Sequence, residues 1–178
     1  MVVETLRKKL GNFTPQNGIY GRDAAVCVLF NSSLELLLMK RTENPRDPWS
    51  GQISFPGGHF EPDDVYLHNT AMRELKEETG IQNAEIIGAL NVHHPRNSPE
   101  MYVYPFICYR ENFDGVRPQS GEVEYFLTPK IYELKVEKRE IKIKKISFLE
   151  DCFLYKGEVI WGMTFRIINE ILGLFQDH

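Results

Sequence analysis

Short apolar runs alternate along the chain with longer segments of helical periodicity, an order typical of α/β proteins. Residues 24–30 form a continuous apolar run of strand length, and residues 31–33, Asn-Ser-Ser, separate it from a second run at 34–39. Two such runs across a short polar segment predict a β-hairpin. Residues 3–10 predict a short helix ahead of it.

Downstream, five segments read as strands: 53–55, 84–92, 102–109, 122–127 and 141–148. Helices are predicted from about Val65 to Thr79, ahead of Gly80 as a C-cap, and from Trp161 to Phe175, where apolar residues recur at helical spacing. The stripe of the second helix consists of Phe165, Ile168, Leu172 and Phe175. No repeat or linker divides the chain, so a single domain over residues 1–178 is expected.

Three glutamates are predicted to share one face of the first of these helices. Residues 73–81 read RELKEETGI, and at about 100° per residue Glu74, Glu77 and Glu78 fall within an arc of about 100°. Like charges this close repel one another unless a cation neutralises them. Hard divalent cations prefer oxygen ligands, so the pattern predicts a site for Mg²⁺ or Mn²⁺.

A second interpretation of the same segment is a solvated helix face with local ion pairs, since Glu and Lys are good helix formers. The surrounding residues favour the metal site. Pro56-Gly57-Gly58 predicts a turn before the helix, Gly80 predicts a C-cap after it, and further acidic residues lie between them at Glu61, Asp63 and Asp64.

The segment 57–81 resembles the Nudix box, in which a glycine is followed by five residues, a glutamate, seven residues and then Arg-Glu-apolar-any-Glu-Glu-any-Gly-apolar. The match from Arg73 to Ile81 is complete. Upstream, five residues lead from Gly58 to Asp64, an Asp replaces the Glu, and eight residues rather than seven precede Arg73. The resemblance implies a Nudix-type α/β/α sandwich with a mixed β-sheet between helices, and a metal-dependent hydrolase.

Further segments are similar to the coenzyme A diphosphatase branch of that family. They are Leu37–Thr42, Arg46 and Gly51–Gly58, with Met39 in place of a Thr, Thr42 in place of Ser or Ala, and a gap one residue longer. Residues 159–166, VIWGMTFR, look like the Trp-Gly-Leu-Thr element of that branch. The resemblance implies hydrolysis of coenzyme A or acyl-coenzyme A to 3′,5′-ADP and (acyl-)4′-phosphopantetheine.

Two alternatives stay open. The same chemistry could act on ADP-ribose, a dinucleoside polyphosphate or a nucleoside triphosphate, or the chain could be a sensor of Nudix fold that binds a nucleotide without cleaving it. Loss of the box carboxylates would favour the sensor, but all the helical ones are present. Fold analogy alone does not identify a substrate.

The resemblance also implies roles for single residues. Glu77 and Glu78 would be the main metal ligands, with Glu74 and the Gly57 carbonyl beside them, while Arg73 would orient the glutamates. Because of the extra residue, Asp64 is expected to stand outside the metal's ligands and to hold the loop or the helix start.

Glu122, in a Glu-Val pair, resembles the remote general base of many members, although it could equally be an exposed residue at a strand start. Arg41, Arg46, Gly57 and Gly58 are the expected substrate contacts, with Arg41 favoured over the nearby Lys40 and over Arg96 for phosphate binding. Of the adjacent His93 and His94, at most one is expected to reach the site, because neighbouring strand residues point to opposite faces.

Composition limits the classes of binding partner that are expected. The net charge is −4, so the chain lacks the basic footprint of a protein that binds a nucleic-acid polymer, and a small coenzyme A-like nucleotide is the expected partner. Residues 1–10 lack the apolar core of a signal peptide, and no apolar run is long enough to cross a membrane. A cytoplasmic protein without a membrane partner is expected, and a homodimer stays open.

Overall fold

A four-stranded sheet lies at the centre of the computed structural model, which describes residues 2–176. Its strand order is β4-β1-β6-β5. The bounds are β1 Asp23–Phe30, β4 Gly57–His59, β5 Glu85–Ala89 and β6 Tyr102–Tyr109. β1 runs parallel to β6 and antiparallel to β4, and β5 is antiparallel to β6, so the sheet is mixed.

Helices cover both faces of this sheet. They are α1 Val2–Leu10, α2 Leu67–Thr79 and α3 Gly162–Gln176. Successive residues of a strand point to opposite faces, and accordingly Cys27 packs in the layer with α2, whereas Val28 packs in the layer with α1 and α3. The predicted α/β/α sandwich with a mixed sheet is therefore confirmed.

Two smaller sheets flank the central one, with orders β3-β2-β7 and β10-β9-β8. Their strands are β2 Leu38–Arg41, β3 Ile53–Ser54, β7 Val123–Leu127, β8 Val136–Ile143, β9 Ile146–Tyr155 and β10 Glu158–Ile160. Short 3₁₀ turns occupy Pro62–Asp64 and Ile131–Glu133. The pairing of β2 with β7 brings the end of β2 beside the start of β7, with Arg41 opposite Val123.

Two sequence predictions about strands hold only in part. The hairpin expected at 24–39 is present next to its turn, where Phe30 and Leu36 form an antiparallel bridge and the Leu37 N–H donates to the Leu29 carbonyl at 3.0 Å. It is short because β2 then pairs with β3 and β7 rather than with β1. The single strand expected at 141–148 is two strands joined by a two-residue turn at 144–145, with Lys144 at φ 54°. The alternation of apolar and polar residues changes phase at the adjacent Lys144 and Lys145, and this change is the sequence signal of the turn that the prediction of one strand overlooked.

The helix predicted to start at about Val65 begins at Leu67. In α3, all four residues of the predicted stripe pack in the core, with Ile168 fully buried and Phe165, Leu172 and Phe175 partly buried. Ile167 and Ile171 are also fully buried, so the buried face is wider than the predicted stripe. Among residues 2–176, no helix has both the length and the apolar character that a membrane span requires.

Candidate active site

The box helix α2 presents its glutamates at the edge of the central sheet. Leu67, Ala71 and Leu75 recur every fourth residue and pack against β1, which fixes the rotation of the helix. Gly80 ends it in the left-handed conformation at φ 79°, as predicted, and its N–H bonds the Lys76 carbonyl. With the apolar face fixed, the glutamates of the last turns face β4.

Exposure differs widely among the three glutamates. Glu78 is 2% exposed, the Glu74 side chain is 15% exposed, and the Glu77 side chain is 55% exposed. A solvated helix face, the second interpretation of this segment, is therefore wrong for Glu78, because β4 covers it.

Glu78 is buried among groups that on balance disfavour its ionised form. Its Oε2 accepts a hydrogen bond of 3.0 Å from the Gly57 N–H. Burial, together with the nearby charges of Glu74 and Glu122, raises the pKa of Glu78 to about 8, against the lowering influence of the Gly57 N–H and Arg41. A cation at this carboxyl group would favour its ionised form.

Glu74 lies directly beneath Gly58. A Cβ placed on Gly58 would sit 2.2 Å from Glu74 Oε1, and one on Gly57 would sit 2.5 Å from the Ala25 carbonyl oxygen. Burial raises the pKa of Glu74, against the lowering influence of Arg73. Residues 57–59 form strand β4 rather than the expected turn, so close packing is the reason for both glycines.

Arg73 joins the glutamates to the loop that precedes the helix. Its Nη1 donates to Glu74 at 3.0 Å and to Glu77 at 3.3 Å, and its Nη2 donates to the His59 carbonyl at 3.0 Å. Its Nε and Nη2 form a two-pronged pair with Asp64 at 2.7 and 3.0 Å, and this pair raises the pKa of Arg73. One guanidinium thus restrains three carboxylates.

Asp64 also accepts hydrogen bonds from the Thr70 hydroxyl at 2.8 Å and from the Glu61 N–H at 3.0 Å. Burial alone would raise the pKa of Asp64, but the bonds from Arg73, Glu61 and Thr70 outweigh burial and lower it. The carboxylate therefore points at Arg73 and the start of α2, which is the position expected from the sequence.

The extra residue of the box is absorbed next to Asp64. Val65 has φ 64° and ψ −54°, and the Tyr66 N–H bonds the Asp64 carbonyl at 2.7 Å. These values describe a γ-turn with positive φ, which is rare and strained, above all for a β-branched residue. The turn lets the chain gain one residue without moving Asp64 away from Arg73.

Arg41, at the end of β2, and Glu122, just before β7, act on the glutamates from the sheet β3-β2-β7. Arg41 pairs with Asp47 at 2.7 Å, and its charge lowers the pKa of Glu78. Glu122 is exposed, its carbonyl accepts the Thr42 N–H at 3.0 Å, and its charge raises the pKa of both Glu74 and Glu78. The structure thus brings these two predicted residues to the site.

Several other candidates are engaged elsewhere. Lys40 pairs with Glu158 at 3.0 Å, and Arg46 lies on an exposed loop. His93 contacts Glu170 of α3 at 2.7 Å, while the His94 ring packs against Tyr102. The two histidines therefore have separate partners, and neither contact involves a box glutamate.

The carboxylates match the chemistry of a hard cation without forming a complete cage. In the described part of the chain, no three His, Cys, Asp or Glu side chains lie close enough together to surround one ion. Burial nevertheless raises the pKa of both Glu74 and Glu78, and the nearby charge of Glu122 also raises the pKa of both. Mg²⁺ commonly takes only one or two protein carboxylates and completes its shell with water and substrate phosphates, so the residues fit such an ion.

One basic residue near the loop at 93–96 has no role in the sequence-based prediction. Arg166, on α3, is partly buried and donates from Nη2 to the His94 carbonyl at 2.8 Å. The sequence shows it only as the last residue of the segment 159–166, and no spacing or charge pattern singles it out.

Comparison with known proteins agrees with this arrangement. Residues 21–148 match the family model of the NUDIX domain. Over 144 residues, the chain is 31% identical to proteins named "Uncharacterized Nudix hydrolase NudL" from Yersinia pestis (strain Pestoides F) and Yersinia pseudotuberculosis serotype O:1b (strain IP 31758), with 76% of this chain and 70% of each relative covered.

Solved structures share the fold. A Caenorhabditis elegans Ap4A hydrolase ("C. elegans Ap4A Hydrolase Binary Complex") superposes with a TM-score of 0.52 at 23% identity, covering 61% of this chain and 80% of that chain. A MutT/nudix family protein from Enterococcus faecalis gives a TM-score of 0.52 at 16% identity, covering 98% of this chain and 70% of that chain. By its family model, its relatives and its fold, the chain belongs to the Nudix hydrolase family.

Proposed function

We propose that this Nudix hydrolase cleaves the diphosphate of coenzyme A or acyl-coenzyme A, releasing 3′,5′-ADP and (acyl-)4′-phosphopantetheine. The observation that carries the proposal is the position of Arg41. It belongs to the segment that resembles the coenzyme A branch, and its charge acts directly on Glu78 of the box. This influence of the branch-like segment on a box glutamate supports the proposal.

A diphosphate resists attack by water because its own oxygens are negative, so its charge must be neutralised and the water positioned. Mg²⁺ or Mn²⁺ held by Glu74, Glu77 and Glu78, with the Gly57 carbonyl, would supply that neutralisation. Because Gly57 and Gly58 have no side chains, β4 packs close to the glutamates, and a diphosphate bound there would meet its backbone.

The chain's own residues would do the remaining work. Arg73 holds Glu74 and Glu77 in place through its hydrogen bonds. Glu122, exposed beside the glutamates, would accept the proton of the attacking water as general base. Arg41 and Arg46 would bind phosphate oxygens on the substrate side.

A substrate panel tests the proposal. The purified protein is incubated with Mg²⁺ or Mn²⁺ and coenzyme A, ADP-ribose, NADH, diadenosine polyphosphates or nucleoside triphosphates, and the products are identified by mass. We expect the highest kcat/KM for coenzyme A or an acyl thioester of it. An advantage of ADP-ribose by tenfold, about 1.4 kcal/mol of transition-state preference, would move the assignment to that substrate.

Two controls separate the alternatives. The Glu78→Gln variant should show no turnover above background on any substrate, which excludes a contaminating hydrolase. A wild-type protein that binds nucleotides but cleaves none of the panel would instead be a sensor, and the proposal would be wrong.

A further inference from the structure

Arg166 is a guanidinium that forms no direct ion pair with any residue from 2 to 176. Its Nη2 donates to a neutral group, the His94 carbonyl, and its Nε is buried and has no hydrogen-bond partner within the described chain. Buried donors are nearly always satisfied, and buried charges are nearly always paired. The missing partner of this side chain is therefore an acceptor, and for a cation the best acceptor is an anion.

Comparison with other arginines supports this view. Arg22 and Arg73 each bond an aspartate, and that bond raises the pKa of each. The pKa of Arg166 is lowered, first by burial and then by the positive charge of Arg96, with only partial relief from Glu150. Among the described residues, the two guanidinium groups thus share the Glu150 carboxylate, which leaves one positive charge in excess.

The surroundings suit a nucleotide. The Arg96 side chain is 62% exposed and pairs with Glu150 of β9. Two residues earlier on the same strand, and so on the same face, Phe148 lies with its ring 5.9 Å from that of Trp161. A pair of arginines beside a pair of aromatic rings can bind phosphate oxygens and offer an apolar surface to a base.

The position of this cluster relative to the box helix follows from its anchoring and from the sheet. The Thr164 hydroxyl donates to the Ile53 carbonyl at 2.9 Å, which anchors the start of α3 to the strand just before β4. Across the central sheet, His59, Ala24, Val103 and His93 are successive neighbours. At about 4.8 Å per strand, His93 lies about 14 Å from His59, whose carbonyl bonds Arg73.

We propose that Arg96 and Arg166 form a subsite for a phosphate monoester carried by the substrate in addition to its diphosphate. The unpaired Nε–H of Arg166 and the exposed guanidinium of Arg96 would donate to its oxygens. This inference rests on the proposed function, under which the group is the 3′-phosphate of coenzyme A. It explains how the chain would distinguish coenzyme A from other nucleoside diphosphates.

A binding experiment tests the subsite without requiring catalysis. Isothermal titration calorimetry on the full chain compares adenosine 3′,5′-bisphosphate with AMP. We expect the wild type to bind the bisphosphate at least tenfold more tightly. Arg96→Ala and Arg166→Lys should reduce this ratio to less than threefold, whereas Arg7→Ala should keep it, because Arg7 is another exposed arginine in an ion pair, with Glu85, but on α1.

A ratio near wild type in both Arg96→Ala and Arg166→Lys would overturn the proposal. Lysine keeps the charge and the stem of Arg166, and Arg96 is exposed, so each variant is expected to fold, and circular dichroism verifies it. An equal loss of affinity for AMP and for the bisphosphate would also overturn it, since the arginines would then bind the phosphate that both ligands share.

Kinetics separate this inference from the proposed function. If coenzyme A is cleaved, its kcat/KM relative to 3′-dephospho-coenzyme A should fall at least fivefold in both variants, while an unchanged ratio would count against the subsite. If coenzyme A is not cleaved, the function proposal fails, and the calorimetric ratio still decides whether the two arginines bind a phosphate monoester.

Discussion

Replacing Asp64 by Asn should destabilise the protein while leaving most of its activity. The substitution keeps the shape of the side chain and removes its charge. The Asn oxygen can still accept the bonds that the Glu61 N–H and the Thr70 hydroxyl give to Asp64 Oδ2. Its amide nitrogen then faces the Arg73 Nε–H, which donates at 2.7 Å in the wild type. Two donors in contact replace the strongest bond of the pair.

The size of the effect follows from these contacts. Breaking a buried ion pair costs about 3–5 kcal/mol. Arg73 is 23% exposed and keeps Glu74 and Glu77 as partners, which reduces the loss. We therefore expect the free energy of unfolding to fall by about 2 kcal/mol, close to one hydrogen bond to a charged group. For a chain of this size, the corresponding decrease in Tm is about 4–8 °C.

The difference in unfolding free energy between the wild type and Asp64→Asn should depend on pH in a defined direction. The pKa of Asp64 is lowered in the folded protein from its ordinary value of 3.8. Its ionised form therefore contributes stability that is fully present above that ordinary value and is lost as the pH falls through the folded pKa. The gap in unfolding free energy between wild type and variant should be constant from about pH 5 to 8 and should narrow below about pH 4.

Denaturant unfolding of both proteins across this pH range measures the gap, with Asp63→Asn as the matched control. Asp63 is the preceding residue, is exposed and undergoes the same chemical change. Equal stability of the Asp64 and Asp63 variants would refute the structural reasoning. A loss of kcat by Asp64→Asn as large as that of Glu78→Gln, with an equally raised metal requirement, would show that Asp64 is a metal ligand.

Other predictions follow from the same site. Glu77→Gln and Glu78→Gln should each lower kcat by at least about a hundredfold with the fold intact by circular dichroism, and near-wild-type turnover at saturating metal would exclude the residue as a ligand. The pKa of Glu78 is raised from 4.5 to about 8, so the metal-free wild type should lose stability as the pH rises between these values, whereas Glu78→Gln should not lose it. Denaturant titrations measure both proteins across this range, and parallel curves of unfolding free energy against pH would contradict the expectation. Gly58→Ala should reduce activity strongly because its Cβ would lie 2.2 Å from Glu74, and steady-state kinetics showing no change would mean that the carboxylate is free to move. Val65→Gly should raise Tm by a few degrees at unchanged activity because it relieves the strain of the γ-turn by about 1 kcal/mol, and a lower Tm in calorimetry would argue against strain there.

Much of the fold follows from local sequence signals. Apolar runs of strand length mark β1 and β6, and helical spacing with a terminal glycine marks α2. The glutamates are visible because their spacing on a helix is fixed. Strand β4 is not visible, because its residues Gly57–His59 carry no apolar pattern and become a strand only by pairing with β1.

The burial of Glu78 could not be predicted for the same reason. A helical wheel gives the direction of each glutamate relative to its neighbours, but it contains nothing about the strand that covers one of them. Arg166 is a comparable case. Its unsatisfied Nε depends on which groups surround it in space, and the sequence alone does not specify them.

The γ-turn at Val65 bears on how families are defined by pattern. A motif written with fixed spacing uses distance along the chain as a substitute for distance in space, and here the two differ. The box has one residue too many by count, yet Asp64 still lies within hydrogen-bonding distance of Arg73. A search that enforces the spacing would discard this chain, whereas a search for a carboxylate in contact with that arginine would retain it. An insertion does not disturb the site if the added residue forms a turn and its neighbours keep their positions. A motif definition can allow variable spacing at such a position.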